Sequence, residues 1–282
     1  MKGATYRAAV NKGDPMPTYA ICEVAASNSP KLAVGDIVAA EATWSNYITA
    51  KAHKVQKLPK VDTLSHLMSV YGIAGKTAFH GLISIGQPLA GETVLVSAAA
   101  GSVGGYVGQI AKTLGCRVVG IAGGPEKCAW VKDELGFDAC VDYRASGLSK
   151  ALFKACPDGA DIYFDNVGGK VLESSLNVMN EKGRVVCCGA ISQYDTDNPT
   201  GPRNLPGALV VKRLKMEGFI VMDFAHNDAK CLRAMQHWVS TGQVKVFEDI
   251  VEGLENAPQA LIGLLNGDNK GKRLVRVAAD PT

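Results

Sequence analysis

From residue 92 onward, short apolar runs alternate with segments whose apolar residues recur at helical spacing. The run at 93–97 is rich in β-branched residues, and Val103, Val107 and Ile110 follow it on one face of a predicted helix. Five further runs predict strands at 117–121, 139–143, 161–164, 184–188 and 215–221. Six strands with helices between them are typical of an α/β fold built on a doubly wound parallel sheet.

The two flanks of this region have different patterns. Residues 1–62 contain four prolines between short β-like runs and predict a β-rich first domain. We place the domain of the parallel sheet at 63–228. Residues 229–282 contain a helical pattern near 256–265 and an apolar run at 273–277. We expect this tail to return to the first domain.

The strongest motif is a glycine-rich turn between the first strand of the sheet and the helix after it. It reads Ala98-Ala99-Ala100-Gly101-Ser102-Val103-Gly104-Gly105. Gly101 permits a tight turn, and Gly104 lets the backbone approach a pyrophosphate, which the N–H groups at the start of the helix can bind. Because a strand precedes the motif and a helix follows it, we expect a dinucleotide site.

The end of the second strand indicates which dinucleotide binds. A site for NAD usually has Asp or Glu there, which accepts a hydrogen bond from the ribose 2′-hydroxyl. This strand ends instead in Ala122-Gly123-Gly124, and Lys127 shortly after it can hold a 2′-phosphate. The pattern favours NADP(H), with Glu126 pointing elsewhere. The alternative for Lys127 is a solvated lysine in the first turn of a helix.

Composition narrows the classes of function. The net charge is +3 and the basic residues are scattered, so we expect no nucleic-acid partner. The longest strongly apolar stretch, 93–100, is far shorter than the ~20 residues that a membrane helix needs. The first seven residues lack the apolar core of a secretory signal. We therefore expect a cytoplasmic protein with no membrane segment.

The eight cysteines and five histidines do not follow a metal-binding pattern. No Cys-x-x-Cys pair occurs and each histidine is isolated, whereas structural zinc usually takes two local pairs of ligands. Several cysteines lie in apolar runs, so we expect buried, reduced thiols and no metal. The sequence also contains no Gly-x-Ser-x-Gly or His-Glu-x-x-His motif, which argues against the commonest hydrolases and zinc proteases.

Nine motifs follow one another from about residue 35 to the C-terminus. They are Gly35-Asp36-Ile37-Val38, Trp44-x-x-Tyr47, Gly72-x-x-Gly75-x-Thr77-Ala78-Phe79, Ala98-Ala99-Ala100-Gly101-x-Val103-Gly104, Ile121-Ala122-Gly123-Gly124-x-Glu126-Lys127, Asp165-Asn166-Val167-Gly168-Gly169, Cys188-Gly189-Ala190-Ile191-Ser192-Gln193-Tyr194, Glu217-Gly218-Phe219-Ile220-Val221 and Gly267-Asp268-Asn269-x-Gly271-Lys272. Through them the chain resembles the zinc-independent medium-chain dehydrogenase/reductases, in the NADP-dependent branch of prostaglandin reductases and alkenal double-bond reductases.

This resemblance implies a fold and a set of cofactor-binding residues. The fold is a Rossmann sheet with a GroES-like β-rich domain. The residues implied for the pyrophosphate are Gly101, Ser102, Val103 and Gly104, and those for the 2′-phosphate are Gly123, Lys127 and Tyr143. The residues implied for the adenosine, ribose and nicotinamide are Asn166, Cys188, Gly189, Ile191, Ser192, Phe219, Ile220, Val221 and Asn269. The alternative for both asparagines is a turn former beside glycines.

Residues 1–20 match the family poorly, because its members usually carry a fuller β-barrel before the region of Val24. We therefore expect a partial GroES-like domain and one altered wall of the substrate pocket. Apolar surface left exposed in such a domain would favour self-association, so a homodimer is expected as one possible state.

The resemblance implies reduction of the carbon–carbon double bond of α,β-unsaturated aldehydes or ketones, with hydride transfer from NADPH to the β-carbon. The alternatives are a zinc-free quinone oxidoreductase and a truncated, non-catalytic NADPH-binding protein. Tyr194 is the candidate catalytic residue, since it follows the fifth strand and its phenol can donate a hydrogen bond to a developing enolate. The alternative for Tyr194 is a loop residue that packs against the following segment.

Overall fold

The computed structural model describes residues 10–59, 61–194, 196 and 198–280. The first part of the chain forms an antiparallel sheet of β1 (Pro17–Glu23), β2 (Ile37–Thr43) and β3 (Gln56–Lys57). β1 and β2 pair over their whole length, whereas β3 pairs with β2 at two positions. The predicted β-rich region is confirmed as this three-stranded sheet, and the predicted boundary at 62 stays a prediction.

The middle of the chain forms one parallel sheet of six strands. Its strands are β4 (Thr93–Ser97), β5 (Arg117–Ala122), β6 (Ala139–Asp142), β7 (Ala160–Asp165), β8 (Met179–Cys187) and β9 (Lys215–Gly218). The strands lie in the order β6-β5-β4-β7-β8-β9, and every pair is parallel. The chain builds outward from β4 in one direction and then from β7 in the other. This order confirms the doubly wound sheet and puts its switch point between β4 and β7.

Helices cover both faces of this sheet. They are α1 (Ile73–His80), which continues as a π-helical turn (Gly81–Gly86), α2 (Ser102–Thr113), α3 (Pro125–Asp133), α4 (Leu148–Ala155), α5 (Gly169–Val178), α6 (Leu205–Lys212) and α7 (Asp228–Ser240). On β4, Val94 and Val96 pack with α1, α2, α3 and α7, whereas Leu95 packs with α4, α5 and α6. Because both faces of each strand are buried, the strands read as continuous apolar runs in the sequence.

The C-terminal part adds β10 (Glu248–Glu252), α8 (Ala257–Asn266) and β11 (Lys272–Arg276). β10 and β11 pair in parallel as a sheet of their own. Just before β11, the backbone N–H of Gly271 donates to the carbonyl of Ala100 at 2.9 Å, and Gly271 bridges Gly101. This segment therefore contacts the glycine-rich turn, and its predicted return to the first domain stays a prediction. No helix in the described part of the chain combines the length and apolar character that a membrane span requires.

Two of the predicted strands have wrong boundaries. The sixth strand ends at Gly218 rather than at residue 221, because Phe219 turns into the core, where its ring meets those of Phe164 and Phe224 edge-on at centroid distances of 6.4 and 6.1 Å. The fifth strand begins at Met179, five residues earlier than predicted, and ends at Cys187, so that Cys188 belongs to the loop.

Candidate active site

The carboxyl ends of β4 and β7 meet at the switch point of the sheet, and Asn166 ties them together. Its backbone N–H donates to Ser97 Oγ at 2.9 Å, and its Nδ2 donates to the Ser97 carbonyl at 2.8 Å. Ser97 is the last residue of β4, and Asn166 directly follows β7. Ligands of open α/β sheets bind in the crevice at this point. Asn166 therefore lies at the centre of the candidate site.

Asp165, which is not among the predicted site residues, builds the turn that carries Asn166. Its side chain is buried, and Oδ1 accepts hydrogen bonds from the Tyr163 hydroxyl at 2.8 Å and from the N–H groups of Val167 and Gly168 at 3.0 and 2.9 Å. Burial, together with the charge of Asp165, raises the pKa of Tyr163 well above its ordinary value, so the phenol stays a neutral donor. An Asp two and three residues before backbone N–H groups is typical of such a turn.

The glycine-rich turn leaves hydrogen-bond donors at the start of α2. Gly101, the residue before α2, has no side chain that could accept from the first-turn N–H groups. Ser102 Oγ is buried and has no hydrogen-bond partner among the described residues. Val103 is half-buried and packs against the core. The structure thus offers backbone N–H groups and one buried hydroxyl for an anionic ligand, as the motif predicts.

The backbone of this turn shows a further reason for glycine at position 104, and the predicted roles of both glycines stay predictions. The left-handed residue of the turn is Ala98, at φ 50°, whereas Gly101 has an extended backbone at φ −84°. A Cβ at Gly104 would lie 2.4 Å from the carbonyl oxygen of Ala98. The structure therefore requires glycine at 104 because α2 packs directly on the backbone that leaves β4.

Gly123 and Tyr143 meet at the tip of β5. An ideal Cβ at Gly123 would lie 3.0 Å from Tyr143 Cε1 and 3.1 Å from its hydroxyl oxygen. The Tyr143 ring lies against this glycine with 46% of its surface exposed. Two of the three residues predicted for the 2′-phosphate are therefore adjacent, and the phenol lies at an exposed edge of the strand tip.

Lys127 is not a solvated lysine. Its Nζ donates to the carbonyl oxygens of Gly267 and Asn269, the latter at 2.7 Å, so it joins α3 to the loop before β11. Desolvation in this position lowers the pKa of Lys127. Glu126 pairs with Lys270 at 2.6 Å. A contact between Lys127 and a phosphate stays a prediction.

Asn269 has a structural role in the same loop. It is buried, and its Nδ2 donates to the carbonyl of Gly271 at 2.8 Å. Gly271 has a φ of 74°, and a Cβ there would lie 2.2 Å from the carbonyl oxygen of Phe247. Asn269 thus forms the turn that holds the loop against the glycine-rich motif, and its contact with a cofactor stays a prediction.

The loop after β8 is tied to the end of β7. The N–H groups of Cys188 and Gly189 donate to the carbonyl of Asp165 at 2.8 and 3.1 Å, and Ser192 Oγ donates to that of Val167 at 2.6 Å. Burial, followed by the charge of Asp165, raises the pKa of Cys188 to about 12, so this thiol stays neutral. The predicted loop residues therefore border the same crevice as Asn166.

Tyr194 ends a short turn in this loop. Its hydroxyl oxygen accepts a hydrogen bond from the N–H of Ala190 at 3.1 Å, and an ideal Cβ at Gly189 would lie 3.1 Å from it. The side chain is 41% exposed, and Ile191 beside it is 50% exposed. Since the phenol oxygen serves here as an acceptor, its own proton remains available for another partner.

Comparison with known proteins identifies the family. A family model described as zinc-binding dehydrogenase matches residues 102–238, and a model described as N-terminal domain of oxidoreductase matches residues 1–58. An NADPH-dependent curcumin reductase of Escherichia coli K12 is 43% identical over 282 residues, which cover 98% of this chain and 82% of that protein. An NADP(+)-dependent 2-alkenal reductase of Nicotiana tabacum is 42% identical over 271 residues, which cover 95% and 79%. The chain belongs to the enone reductases of the medium-chain dehydrogenase/reductase family.

The similarity extends to a solved three-dimensional structure. CurA of Vibrio vulnificus in complex with NADPH aligns with a TM-score of 0.93 at 42% identity, over 99% of this chain and 85% of that chain. The predicted resemblance and the predicted fold class are confirmed. In the present chain, the donors at the start of α2, the buried Ser102 hydroxyl and the crevice beside Asn166 fit a dinucleotide.

In the present chain, Phe219 and Ile220 lie in different surroundings. The Phe219 ring belongs to an aromatic cluster with Phe164 and Phe224, whereas Ile220 is 40% exposed and Val221 begins a 3-10 turn (Val221–Asn227). The predicted contacts of these residues with the cofactor stay predictions. In the part of the chain that the structure describes, no three His, Cys, Asp or Glu side chains gather as a metal site would need.

Proposed function

We propose that this protein reduces the carbon–carbon double bond of α,β-unsaturated aldehydes and ketones with NADPH. The observation that carries this proposal is the similarity to an NADPH-dependent curcumin reductase, at 43% identity over 98% of the chain. The similarity to the tobacco 2-alkenal reductase supports the same class of substrate. Both proteins are reductases by name, and the site of this chain offers the groups that such a reaction requires.

NADPH supplies a hydride, which goes to the β-carbon of the substrate. The residues of the chain then have three tasks. The N–H groups at the start of α2 bind the pyrophosphate, and Asn166 holds the ends of β4 and β7 together, so that the crevice keeps its shape. The third task is to stabilise the negative charge that develops on the carbonyl oxygen of the substrate.

Tyr194 is suited to that third task. Its oxygen accepts from the N–H of Ala190, and a hydroxyl that accepts one hydrogen bond is a stronger donor of the next. We propose that the Tyr194 O–H donates to the substrate oxygen as the enolate forms. The α-carbon then takes a proton from solvent, and the saturated carbonyl compound leaves.

The cofactor preference follows from the charges around the tip of β5. The tip carries glycines where an NAD site would have a carboxylate, and Glu126 is paired with Lys270 rather than aimed at the tip. We expect NADPH to bind at least about tenfold more tightly than NADH, which corresponds to about 1.4 kcal/mol. Titration of the purified protein with each nucleotide measures this ratio directly.

The experiment that tests the function is a substrate screen in which the absorbance of NADPH is followed. The panel contains alkenals, cyclic and open-chain enones, and quinones. Turnover of enones and alkenals above that of quinones is the expected result. Turnover of quinones alone would instead support a quinone oxidoreductase, and binding of NADPH without oxidation by any compound would support a non-catalytic protein.

We also propose that two copies of this chain associate through the β9 edge of the large sheet. Among the residues that the structure describes, β9 has a neighbouring strand on one side only, and Val210 and Val211 in the last turn of the preceding α6 are 73% and 69% exposed. Open strand edges beside apolar side chains favour pairing with another chain. Light scattering should find a dimer that Val211→Glu weakens, and a monomer at every concentration would contradict this.

A cytoplasmic location is the remaining part of the proposal. It is supported by the eight cysteines, which are present as free thiols, as is usual in reducing compartments. Microscopy of a fluorescent fusion in the source cell tests it, and secretion of the protein into the medium would contradict it.

A further inference from the structure

We propose that His80 is a positioning residue of this reductase. Its neutral ring holds in place the segment that follows β9, and protonation of the ring releases that segment and lowers turnover. The effect on turnover rests on the proposed function. The imidazole is buried, and neither of its nitrogens has a hydrogen-bond partner in the part of the chain that the structure describes.

His80 packs as a neutral aromatic ring. It is the last residue of α1, directly before the π-helical turn, and is 1% exposed. Its ring is stacked on that of Phe224, with the centroids 5.0 Å apart and the planes at 15°, and it meets Phe79 edge-on at 5.2 Å. A charged ring without hydrogen-bond partners would be unfavourable in such surroundings, whereas a neutral ring is tolerated.

Phe224 connects His80 to the segment that follows β9. The ring of Phe224 lies edge-on to that of Phe219 at 6.1 Å. An ideal Cβ at Gly81, the residue after His80, would lie 2.7 Å from Phe219 Cζ, so the Phe219 ring rests against the backbone of the π-helical turn. Two successive residues, 80 and 81, thus contact both aromatic rings of the segment 219–224. A shift of the His80 ring is therefore transmitted to this segment.

The segment that begins at Phe219 borders the candidate active site. Gly218, the last residue of β9, pairs with Cys187, the last residue of β8. Phe219 therefore leaves the sheet beside Cys188, whose N–H donates to the carbonyl of Asp165 at 2.8 Å. The carboxyl ends of these parallel strands lie along one edge of the sheet, where ligands bind. Movement of the segment after β9 thus changes a wall of the crevice in which we propose hydride transfer.

The charges around His80 come from α1, from α7 and from the 3-10 turn before α7. Asp228 Oδ1 is 3.9 Å from His80 Nε2, and Asp228 Oδ2 pairs with Lys76 Nζ at 2.5 Å. His226 lies in the 3-10 turn, and burial raises the pKa of Cys231 on α7 to about 12, so this thiol stays neutral. The π-helical turn carries no ionisable side chain. Asp228 is therefore the carboxylate that a protonated His80 would meet.

Protonation changes what the ring requires. Desolvation lowers the pKa of His80 below its ordinary value, and the charge of Asp228 opposes that shift. The charges of Lys76 and His226 lower the pKa further, so the ring is neutral at neutral pH. An imidazolium has two N–H donors, and Asp228 Oδ1 lies about 1 Å beyond hydrogen-bond distance. A protonated ring reaches that oxygen by leaving the stack on Phe224, which loosens the segment after β9.

The test combines pH profiles of turnover with a direct titration of the histidine. Initial rates with an enone and saturating NADPH are measured from pH 8 to pH 5, and circular dichroism at each pH shows that the protein is folded. The variants are His80→Phe, which keeps a stacking ring and removes the charge, Asp228→Asn and Lys76→Met. His237→Gln is the matched control, because it removes an exposed histidine from α7, the helix that carries Asp228. In parallel, NMR follows the imidazole signals and the amide signals of residues 220–222.

Wild-type turnover should fall along a one-proton curve below about pH 6.5, by at least about threefold between pH 7.5 and pH 5. In His80→Phe the ratio of turnover at these two pH values should approach one. Asp228→Asn should move the decline to lower pH and Lys76→Met to higher pH, because the first removes a charge that favours the imidazolium and the second a charge that opposes it. His237→Gln should keep the wild-type curve. The NMR signals of His80 and of 220–222 should titrate with one common midpoint.

An acid decline of wild-type size in His80→Phe would overturn the inference, and so would a decline that Asp228→Asn and Lys76→Met shift in the same direction. Wild-type turnover that stays constant down to pH 5 would also overturn it. If a variant fails to fold, the wild-type NMR titration decides, because a His80 midpoint that differs from that of 220–222 contradicts the proposal. Oxidation of NADPH by no enone at any pH would instead contradict the proposed function, and the NMR titration would then decide the role of His80.

Discussion

Replacement of Gly104 by alanine tests how closely α2 packs on the turn after β4. In the wild-type structure, an ideal Cβ at residue 104 would lie 2.4 Å from the carbonyl oxygen of Ala98 and 2.9 Å from its carbonyl carbon. Ordinary van der Waals contact begins at 3.4 Å. Since the opposing atoms belong to the backbone and not to a flexible side chain, the start of α2 must move away by about 1 Å.

The magnitude follows from two opposing terms. Overpacking of this kind costs about 1–3 kcal/mol. Alanine in place of glycine within a helix recovers up to about 1 kcal/mol. We therefore expect Gly104→Ala to lower the free energy of unfolding by up to about 2 kcal/mol. We also expect at least about a tenfold loss of NADPH affinity, because the N–H groups of the first turn move together with the helix.

Gly105→Ala is the matched control in the same turn of α2. A Cβ there would lie 3.3 Å from Leu135 Cδ1, the end of a flexible side chain that can give way. This variant should be as stable as the wild type or more so, and should bind NADPH normally. Urea unfolding and calorimetric titration measure both quantities. If Gly104→Ala matched Gly105→Ala in stability and in affinity, the argument from close packing would be refuted.

Three further changes test other parts of the structure. Tyr194→Phe should lower turnover about tenfold to a thousandfold with NADPH affinity unchanged, as measured by steady-state kinetics and titration, and wild-type turnover would remove the phenol from the mechanism. Lys212→Met should lower the free energy of unfolding, measured in urea, by about 1.5–3 kcal/mol, because its Nζ donates to three carbonyls at the end of α5 and the start of β8 at 2.7–3.0 Å, whereas exposed Lys215→Met should not. The free energy of unfolding should fall as the pH rises above about 8.5, because cysteine thiols ionise there in the unfolded chain. Burial raises the pKa of Cys156 to about 11 and that of Cys231 to about 12, so the folded state keeps protons that the unfolded state loses. Urea midpoints that stay constant or rise with pH would contradict this.

The sequence alone determined the class of the fold and the place of the cofactor turn. The apolar runs predicted all six strands of the parallel sheet, because strands buried on both faces leave a continuous apolar signal. The apolar runs predicted the ends of these strands less accurately. Nothing local stops the sixth strand at Gly218, since Ile220 and Val221 suit a strand, and only the aromatic partners of Phe219 across the fold end it there.

The candidate site was likewise predicted in part by the sequence and in part decided by the tertiary structure. The motif beginning at Ala98 identified the anion-binding turn, because glycines, a strand and a helix lie next to one another in sequence. The partners of Lys127 come from residues about 140 positions further on, and no local pattern indicates that its Nζ is taken by the carbonyls of Gly267 and Asn269. The contact between Tyr143 and Gly123 likewise joins residues that follow two different strands. The sequence determines which charged and polar side chains are present. Which of them remain free for a ligand depends on contacts that only the tertiary structure brings together.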